Sequence, residues 1–168
     1  MLKINSYDYE GLIRSYLTQD RPSAKTAQNR MSYSGVYLYS YNSVLAKLDT
    51  ERKILYIDSD IVHYSNTSIK HANNLRAKAK DNFTRFEVPI DASTEDTVTY
   101  YTNIINHAIT KHTRARVEHS KHYWKSQIFN TLDELTIYLD LHTIKNSKLR
   151  KVTQPIFQQL FELKLLKG

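Results

Sequence analysis

The sequence contains no cysteine, and it has only three glycines and three prolines among 168 residues. Without cysteine the chain forms neither disulfide bonds nor thiolate metal sites, so an oxidising compartment gains no support. No apolar run approaches the roughly 18 residues needed to cross a bilayer, and the opening stretch MLKINSYDYEGL lacks the apolar core of a signal peptide. These absences predict a soluble intracellular protein without a membrane partner.

Charge is the strongest signal that the composition does carry. Lys and Arg number 24 against 17 Asp and Glu, which gives a net charge of +7 and an isoelectric point near 9.4. Such a balance favours binding of a polyanion such as a nucleic acid. The chain also has 13 tyrosines. Because exposed tyrosines stack on unpaired bases, single-stranded or structured RNA is favoured over duplex DNA as the partner.

The hydrophobic pattern predicts an α+β fold. Residues 4–18 are predicted to form a helix, and residues 18–32, which include Pro22, a loop. Strands are predicted over 36–41, 43–49, 53–58 and 83–90, with a helix over 66–81. The second and third strands are expected to pair as an antiparallel hairpin. The predicted fold is therefore a small antiparallel sheet with one packed helix, followed by a helical C-terminal half.

Three regions are expected along the chain: 1–33 as an N-terminal helix and linker, 34–90 as a small α+β domain, and 91–168 as a helical region packed on it. Ser93, followed three residues later by Asp96, is a candidate helix cap. No Pro or Gly follows up to Phe129, so one long basic helix is predicted. The sequence TLDE (131–134) is predicted to open the next helix, and Pro155 to lie near the start of the last one.

The densest basic segment, TKHTRARVEHSKHYWKSQ (110–127), falls within the predicted long helix. On a helical wheel four cations share a narrow sector: Lys111, Arg114, Lys121 and Lys125. Over four turns they would span roughly 20 Å, a length suited to several phosphates, and Tyr123 is a candidate for base stacking. The alternative is a solvated helix face on which Glu118 pairs with Arg114 and Lys121. Further cations at Lys145, Lys148, Arg150 and Lys151 favour phosphate binding.

A second candidate phosphate site lies in HYSNTSIKHANNLRAKAK (63–80). Ser65, Asn66 and Thr67 are good helix N-caps, and a cap uses only one or two of the four free N–H groups at a helix start. The remaining groups attract anions. Four polar residues are predicted to share the helix face opposite Ile69, Ala72, Leu75 and Ala79: Lys70, His71, Asn74 and Lys78. We therefore expect this face to bind nucleic acid.

Seven histidines raise two other hypotheses. His112, His119 and His122 could approach one helix face, but they lack the carboxylate that metal sites commonly recruit. Asp58 and Asp60 near His63 resemble an acidic metal cluster, yet Asp is ordinary where a strand ends at a turn. No metal or cofactor is therefore expected. A metal-independent nuclease that uses His71 and a second histidine, such as His119, stays open, although glycine-rich phosphate loops, nucleophile elbows and paired catalytic glutamates are missing.

Two segments, SYNSVLAKLD (40–49) and HYSNTSIKHANNLR (63–76), follow the pattern S-Y-N-[ST]-x-[IVL]-A and then Y-S-x-T-[ST]-x-K-H. The matching residues are Ser40, Tyr41, Asn42, Ser43, Ala46, Tyr64, Ser65, Thr67, Ser68, Lys70 and His71. Over residues 36–80 the chain thereby resembles a short domain in small proteins of phages and plasmids of Gram-positive bacteria. That domain has no established activity. The resemblance implies a phage origin and action in the host cytoplasm.

Small basic accessory proteins of phages often act on host polymerases, nucleases or immune complexes, and anti-CRISPR inhibitors are one such class. The leading hypothesis is therefore an RNA-binding phage protein that interferes with host immunity. A second hypothesis is a protein–protein inhibitor of a host enzyme that works without nucleic acid, with the apolar helix 154–166 as its partner surface. The histidine nuclease is the third.

Overall fold

The computed structural model describes residues 8–142 and 147–162, except for the side chains of residue 62 and residues 147–152. The chain forms two compact units, Met1–Asp91 and Ala92–Gly168, which we call unit 1 and unit 2. Unit 1 combines a sheet with helices, and unit 2 is helical. The predicted α+β fold with a helical C-terminal half is thus confirmed. No helix in the described ranges is long and apolar enough to cross a membrane.

Unit 1 is a six-stranded sheet with two helices. Its elements are α1 (Tyr9–Thr18), β1 (Ser23–Lys25), β2 (Met31–Ser34), β3 (Tyr37–Ser40), β4 (Ser43–Asp49), β5 (Ile54–Asp58), a 3₁₀ turn (Ser59–His63), α2 (Asn66–Ala79) and β6 (Thr84–Val88). The strands lie side by side in chain order, and all neighbours are antiparallel except β5 and β6. Those two are parallel because α2 carries the chain back across the sheet between them.

The core of unit 1 lies between the sheet and its two helices. Leu12 and Tyr16 of α1 and Leu75 of α2 are fully buried in one cluster with Leu45 and Leu55 of the sheet. The predicted hairpin of β4 and β5 is confirmed, with Leu48 opposite Leu55. On α2 the predicted core residues Ala72, Leu75 and Ala79 are buried, whereas Ile69 is half-buried. Of the predicted helix over 4–18, the part Tyr9–Thr18 is observed, and residues 4–7 lie outside the described residues.

The prediction of a loop over 18–32 was wrong, because β1 and the start of β2 lie there. The two strands pair with Ala24 opposite Tyr33. Their buried positions hold Ala24, Met31 and Tyr33, and Thr26, which directly follows β1, is also buried. Two of these residues are small or polar, so the period-two pattern of a strand is weak in the sequence. Pairing of β2 with β3 stabilises these strands although their local β propensity is weak.

Unit 2 contains three helices, α3 (Thr94–Arg114), α4 (Glu118–Leu141) and α5 (Ser147–Glu162). The predicted cap of α3 is confirmed, since Ser93 Oγ accepts a hydrogen bond from the Asp96 backbone N–H at 3.1 Å. Ring contacts join Tyr101 to Tyr138, with centroids 6.1 Å apart, and His107 to Trp124, 5.9 Å apart. Later residues of α4 therefore lie beside earlier residues of α3, and the two helices form an antiparallel hairpin.

The prediction of one long basic helix was wrong. The backbone is extended at Ala115 (ψ 128°) and Val117 (ψ 133°), where α3 ends and α4 begins. No Pro, Gly or side-chain cap marks the break, because the hydroxyl-free Val117 occupies the N-cap position of α4. Reversal lets Ile105 and Ile109 of α3 and Ile128 and Leu135 of α4 become buried, whereas one straight helix would expose both stripes.

Two further helix boundaries in unit 2 also differ from prediction. The TLDE sequence at 131–134 lies inside α4 rather than at a helix start, and its Thr131 is buried. Pro155 lies well inside α5, which begins at Ser147. In both places the packing of a continuous apolar stripe outweighs the local start signal. The predicted apolar helix 154–166 is described only as far as Glu162.

Candidate nucleic-acid interface

The reversal between α3 and α4 brings the basic residues of the 110–127 segment to one end of the helical hairpin. Lys111 lies three residues before the end of α3, and Lys121 lies three residues after the start of α4. At 1.5 Å per residue, each is about 5 Å along its helix axis from the break. We call this end of the hairpin, residues 111–125, the hairpin tip. The predicted cation stripe of roughly 20 Å is therefore replaced by a more compact cluster.

The charge at the hairpin tip is predominantly positive. Between Thr97 and Leu132 the sequence has five Lys and Arg side chains and a single carboxylate, that of Glu118. The five cations are Lys111, Arg114, Arg116, Lys121 and Lys125. The Glu118 carboxylate lies 3.6 Å from Lys121 Nζ, and its side chain is 88% exposed. A pair this exposed is weak, so it leaves the positive character of the tip largely intact.

Aromatic side chains accompany the tip cations on α4. Tyr123 is 51% exposed, and its ring meets the half-buried Trp124 ring edge-on at 5.0 Å between centroids. Trp124 in turn packs against His107 of α3. Lys125 Nζ lies 6.0 Å from the ring centroid of Phe129. Tyr123 thus contacts Trp124 edge-on and leaves about half of its surface in solvent, which suits the stacking of an unpaired base.

The predicted polar face of α2 is not continuous. Lys70, Asn74 and Lys78 are exposed, but His71 is only 3% exposed and lies on the core side. At 100° per residue, His71 follows Ser68 by less than one turn and precedes Leu75 by one, so all three face the sheet. The grouping of His71 with the exposed cations was therefore wrong.

His71 belongs to a buried polar network that joins α2 to β3. Its Nδ1 lies 2.8 Å from Ser40 Oγ, which also lies 2.9 Å from Ser68 Oγ. The Ser68 backbone N–H donates to Ser65 Oγ at 3.2 Å, which confirms Ser65 as the cap of α2. Burial, with a smaller contribution from the Arg30 charge, lowers the pKa of His71. The neutral ring is thereby favoured, and a catalytic His71 gains no support.

The serines of the α2 start are thus engaged within the protein. Ser65 Oγ accepts from the Ser68 N–H and lies 3.2 Å from Ser68 Oγ, which in turn lies 2.9 Å from Ser40 Oγ, so both hydroxyls have partners within the protein. Tyr9 packs against the His71 ring with centroids 4.8 Å apart, and Tyr41 lies at 6.4 Å. Residues of the SYNS and YSNTSIKH segments therefore meet in space, but the contacts described there serve folding.

A basic cleft that the sequence does not reveal lies elsewhere in unit 1. It has a volume of about 440 Å³ and brings Lys78, at the end of α2, together with Arg14 of α1 and Lys53 of the turn before β5. Leu17, Thr18, Asn82 and Phe83 complete its lining. Among these, only Lys78 was predicted as a binding residue. The others are far apart in sequence, and no spacing rule connects them.

The acidic residues near His63 are engaged in local hydrogen bonds. Asp58 is buried and accepts from Tyr64 Oη at 2.5 Å and from the Asp60 backbone N–H at 3.2 Å. This contact and burial raise the pKa of Tyr64 to about 12. Within the described ranges, no group of three or more His, Asp or Glu side chains could hold a metal ion.

Of the predicted cations, Lys145 and the side chains of Lys148, Arg150 and Lys151 lie outside the described ranges.

The comparisons with known proteins give no relative for this chain. No protein-family model, curated protein or solved structure matches it.

Proposed function

We propose that this protein binds single-stranded or structured RNA through the hairpin tip. One observation carries the proposal: the chain reversal gathers five cations around a single exposed carboxylate. A phosphate backbone releases counterions when Lys and Arg side chains neutralise it, and this release drives association at low salt. A compact cationic end suits a flexible strand, which can bend its phosphates around the tip.

The preference for unpaired RNA rests on Tyr123. Its ring is half exposed beside the cations and supported by Trp124. A base that stacks on such a ring gains about 1–3 kcal/mol, but only if it is not already stacked and paired in a duplex. Duplex binding would instead favour contacts to phosphates alone and would leave Tyr123 without a role.

The biological role that we propose is interference with host immunity by a phage-encoded protein, for example as an inhibitor of a CRISPR effector. Its support is the resemblance of residues 36–80 to a phage domain, together with the positive charge and the exposed Tyr123 of the hairpin tip. Immune effectors of that kind are built around RNA, so a protein that engages RNA has a direct route to them.

Salt-dependent binding of a labelled 12-nucleotide oligouridylate tests the RNA proposal. The double variant Arg114→Gln/Lys121→Gln should weaken binding and reduce the slope of log K against log salt concentration by about 1.4, since each lost phosphate contact removes about 0.7 from a single strand. Glu118→Gln should strengthen binding because it removes the one carboxylate of the tip.

A matched control separates local from global charge. Lys25→Gln/Arg85→Gln removes the same net charge from exposed strand positions in unit 1. We expect this pair to leave the slope close to that of the unaltered protein. Equal losses in both double variants would show that only net charge matters, and the hairpin tip would then not be the RNA site.

The alternative hypothesis, a protein–protein inhibitor, has one supporting observation on α5. Ile156 and Leu160 are buried, whereas Phe157 and Phe161 are 45% and 61% exposed. Exposed phenylalanines one helical turn apart are typical of an interaction surface. If the protein binds no RNA but captures a host protein, and Phe157→Ser/Phe161→Ser abolishes that capture, this alternative replaces the RNA proposal.

A further inference from the structure

The basic cleft of unit 1 has the size and composition of a small-ligand site. Its volume of about 440 Å³ lies within the usual range of roughly 300–1,000 Å³ for such pockets. The cleft opens where α1, the turn before β5 and the loop before β6 meet. These are separate elements held together by the core of unit 1, so the site is formed by the fold and not by a local motif.

Three cations line the cleft, and one of them has an exposed carboxylate partner outside the lining. Arg14, Lys53 and Lys78 contribute to its wall, and no carboxylate among the described residues does so. Lys78 Nζ lies 3.3 Å from Glu10 Oε2, but the two side chains are 46% and 69% exposed. An ion pair this exposed is worth little, so an incoming anion can replace Glu10 as the partner of Lys78.

The remaining lining residues are not those of a site for a bare inorganic anion. Leu17 and Phe83 are half-buried, pack against the core of unit 1 and present their remaining surface to the cleft. Asn82 beside them offers both a donor and an acceptor. An aromatic wall next to an amide suits a heterocyclic base, since the ring can stack while the amide pairs with the base edge.

Hydrogen bonding fixes the main chain at Lys53. Its φ of 54° is in the left-handed region, which residues other than Gly and Asn rarely adopt. Its carbonyl oxygen accepts a hydrogen bond from the Thr84 N–H at 2.9 Å, next to the first paired residues of β5 and β6. The pairing of β5 and β6 thus fixes the turn that carries Lys53 close to the loop that carries Phe83.

A second basic cleft shares part of its lining with the first. It has a volume of about 340 Å³ and shares Lys53, Asn82 and Phe83 with the first. It adds two cations, Arg52 and Lys80, and one carboxylate, Asp81. The two clefts share Lys53, so the positive lining continues from the first into the second, where Arg52 and Lys80 could contact further phosphates of a ligand.

We propose that the cleft binds a nucleoside phosphate, with the base against Phe83 and Leu17 and the phosphate among Arg14, Lys53 and Lys78. The chemistry is the same whether the group is a free nucleotide or one nucleotide of a strand. This site is in unit 1 and does not depend on the RNA site proposed at the hairpin tip in unit 2. A base without phosphate, or phosphate without base, uses only half of the lining.

Calorimetric titration with 5′-AMP, adenosine and inorganic phosphate tests the proposal. We expect saturable binding of 5′-AMP and binding at least about tenfold weaker for each fragment, since tenfold corresponds to about 1.4 kcal/mol. Arg14→Gln/Lys53→Asn should weaken 5′-AMP binding by at least about tenfold; Asn is chosen because it tolerates the positive φ. Phe83→Leu keeps an apolar residue but removes the ring, so it should weaken 5′-AMP binding and leave phosphate binding unchanged.

Two controls accompany the titration. Lys25→Gln removes a charge outside the cleft and should bind 5′-AMP like the unaltered protein. Thermal unfolding of each variant checks that unit 1 is intact. Absence of saturable 5′-AMP binding to the unaltered protein, or equal binding by folded Arg14→Gln/Lys53→Asn, would overturn the proposal.

Competition identifies the source of the nucleoside phosphate. If a hexa-adenylate displaces 5′-AMP, the cleft takes one nucleotide of a strand; if it does not, the cleft takes a free nucleotide, and both results support the site. Arg114→Gln/Lys121→Gln at the hairpin tip should retain 5′-AMP binding. The tip variants therefore test the RNA proposal and the cleft variants test the nucleoside phosphate proposal, so either proposal can fail without the other.

Discussion

Three buried polar side chains, Ser40, Ser68 and His71, hold the first turns of α2 against β3. Each has a hydrogen-bond partner inside the protein, at distances between 2.8 and 3.2 Å. Unpaired, such groups would cost about 1–3 kcal/mol apiece on burial, but paired they fix a single register between helix and strand. The network therefore gives a folding reason for serine and histidine at positions where a core helix ordinarily carries aliphatic residues.

Ser40→Ala should destabilise unit 1 by about 1–3 kcal/mol, because it leaves His71 Nδ1 and Ser68 Oγ without their shared partner. Chemical denaturation followed by circular dichroism measures the change. Ser43→Ala is the matched control, since Ser43 is exposed three residues further along the chain, and its effect should stay within about 0.5 kcal/mol. Equal effects of the two variants would contradict a structural role for the network.

The lowered pKa of His71 predicts that unit 1 loses stability in mild acid. Below pH 6.5, its ordinary pKa, the unfolded chain binds a proton that the buried ring resists. The His71 contribution is therefore complete above pH 6.5 and is lost as the pH falls through the lowered folded-state pKa. Hydrogen exchange of the α2 amides at pH 7 and pH 5, corrected for intrinsic rates, should show this loss of protection.

His71→Asn provides the comparison for this pH effect. Its amide can keep a hydrogen bond to Ser40 near the position of Nδ1 but does not titrate, so the acid-induced loss should be smaller. His119→Asn is the control, because His119 is exposed. Should His71→Asn retain the full loss of protection at pH 5, other groups must cause it.

Among the elements, the hairpin of α3 and α4 forms without a local stop signal. Val117, 63% exposed, occupies the N-cap position of α4 and cannot accept a hydrogen bond from the first turn. Val117→Ser should supply that acceptor and stabilise unit 2 by about 1 kcal/mol, since its backbone is already extended as a cap requires. Thermal unfolding checks this. Val36→Ser, at an exposed turn between strands, should give no such gain.

The sequence predicts those elements whose local signals and packing agree. Ser65 and Ser93 mark helix starts, and the alternating aliphatic residues of β4 and β5 mark a hairpin. It fails where packing alone decides. The break at 115–117 has no turn residue, and Pro155 lies inside α5 although proline usually marks a helix start.

For the molecule as a whole, the net charge of +7 predicts copurification with nucleic acid. Protein isolated at low salt should show an absorbance ratio at 260 over 280 nm well above that of the same protein free of nucleic acid. Phenol extraction should yield RNase-sensitive material. About 1 M salt during purification should remove it, because counterion release no longer favours binding. A protein spectrum free of nucleic acid at low salt, unchanged on adding RNA, would contradict the RNA proposal.

Only part of the candidate surfaces could be predicted from the sequence. The hairpin-tip cations are neighbours in the chain, so the sequence predicts that they cluster, although it predicts one helix where the structure has α3 and α4. The cleft is different: Arg14, Lys53 and Phe83 come from three elements that only the tertiary fold brings together. The misplacement of His71 has a third cause, because a helical wheel treats histidine as polar whereas the Ser40 hydroxyl makes its burial favourable.

The parallel pairing of β6 with β5 has a consequence during synthesis. On the ribosome, β2 to β5 can each pair with the preceding strand as soon as they emerge, because each is antiparallel to the strand before it. The last strand has to wait until α2 is complete and has crossed the sheet. Until then the nascent chain presents the open edge of β5, with Ile54, Leu55 and Ile57 along it, and that edge is where mispairing with another chain would begin.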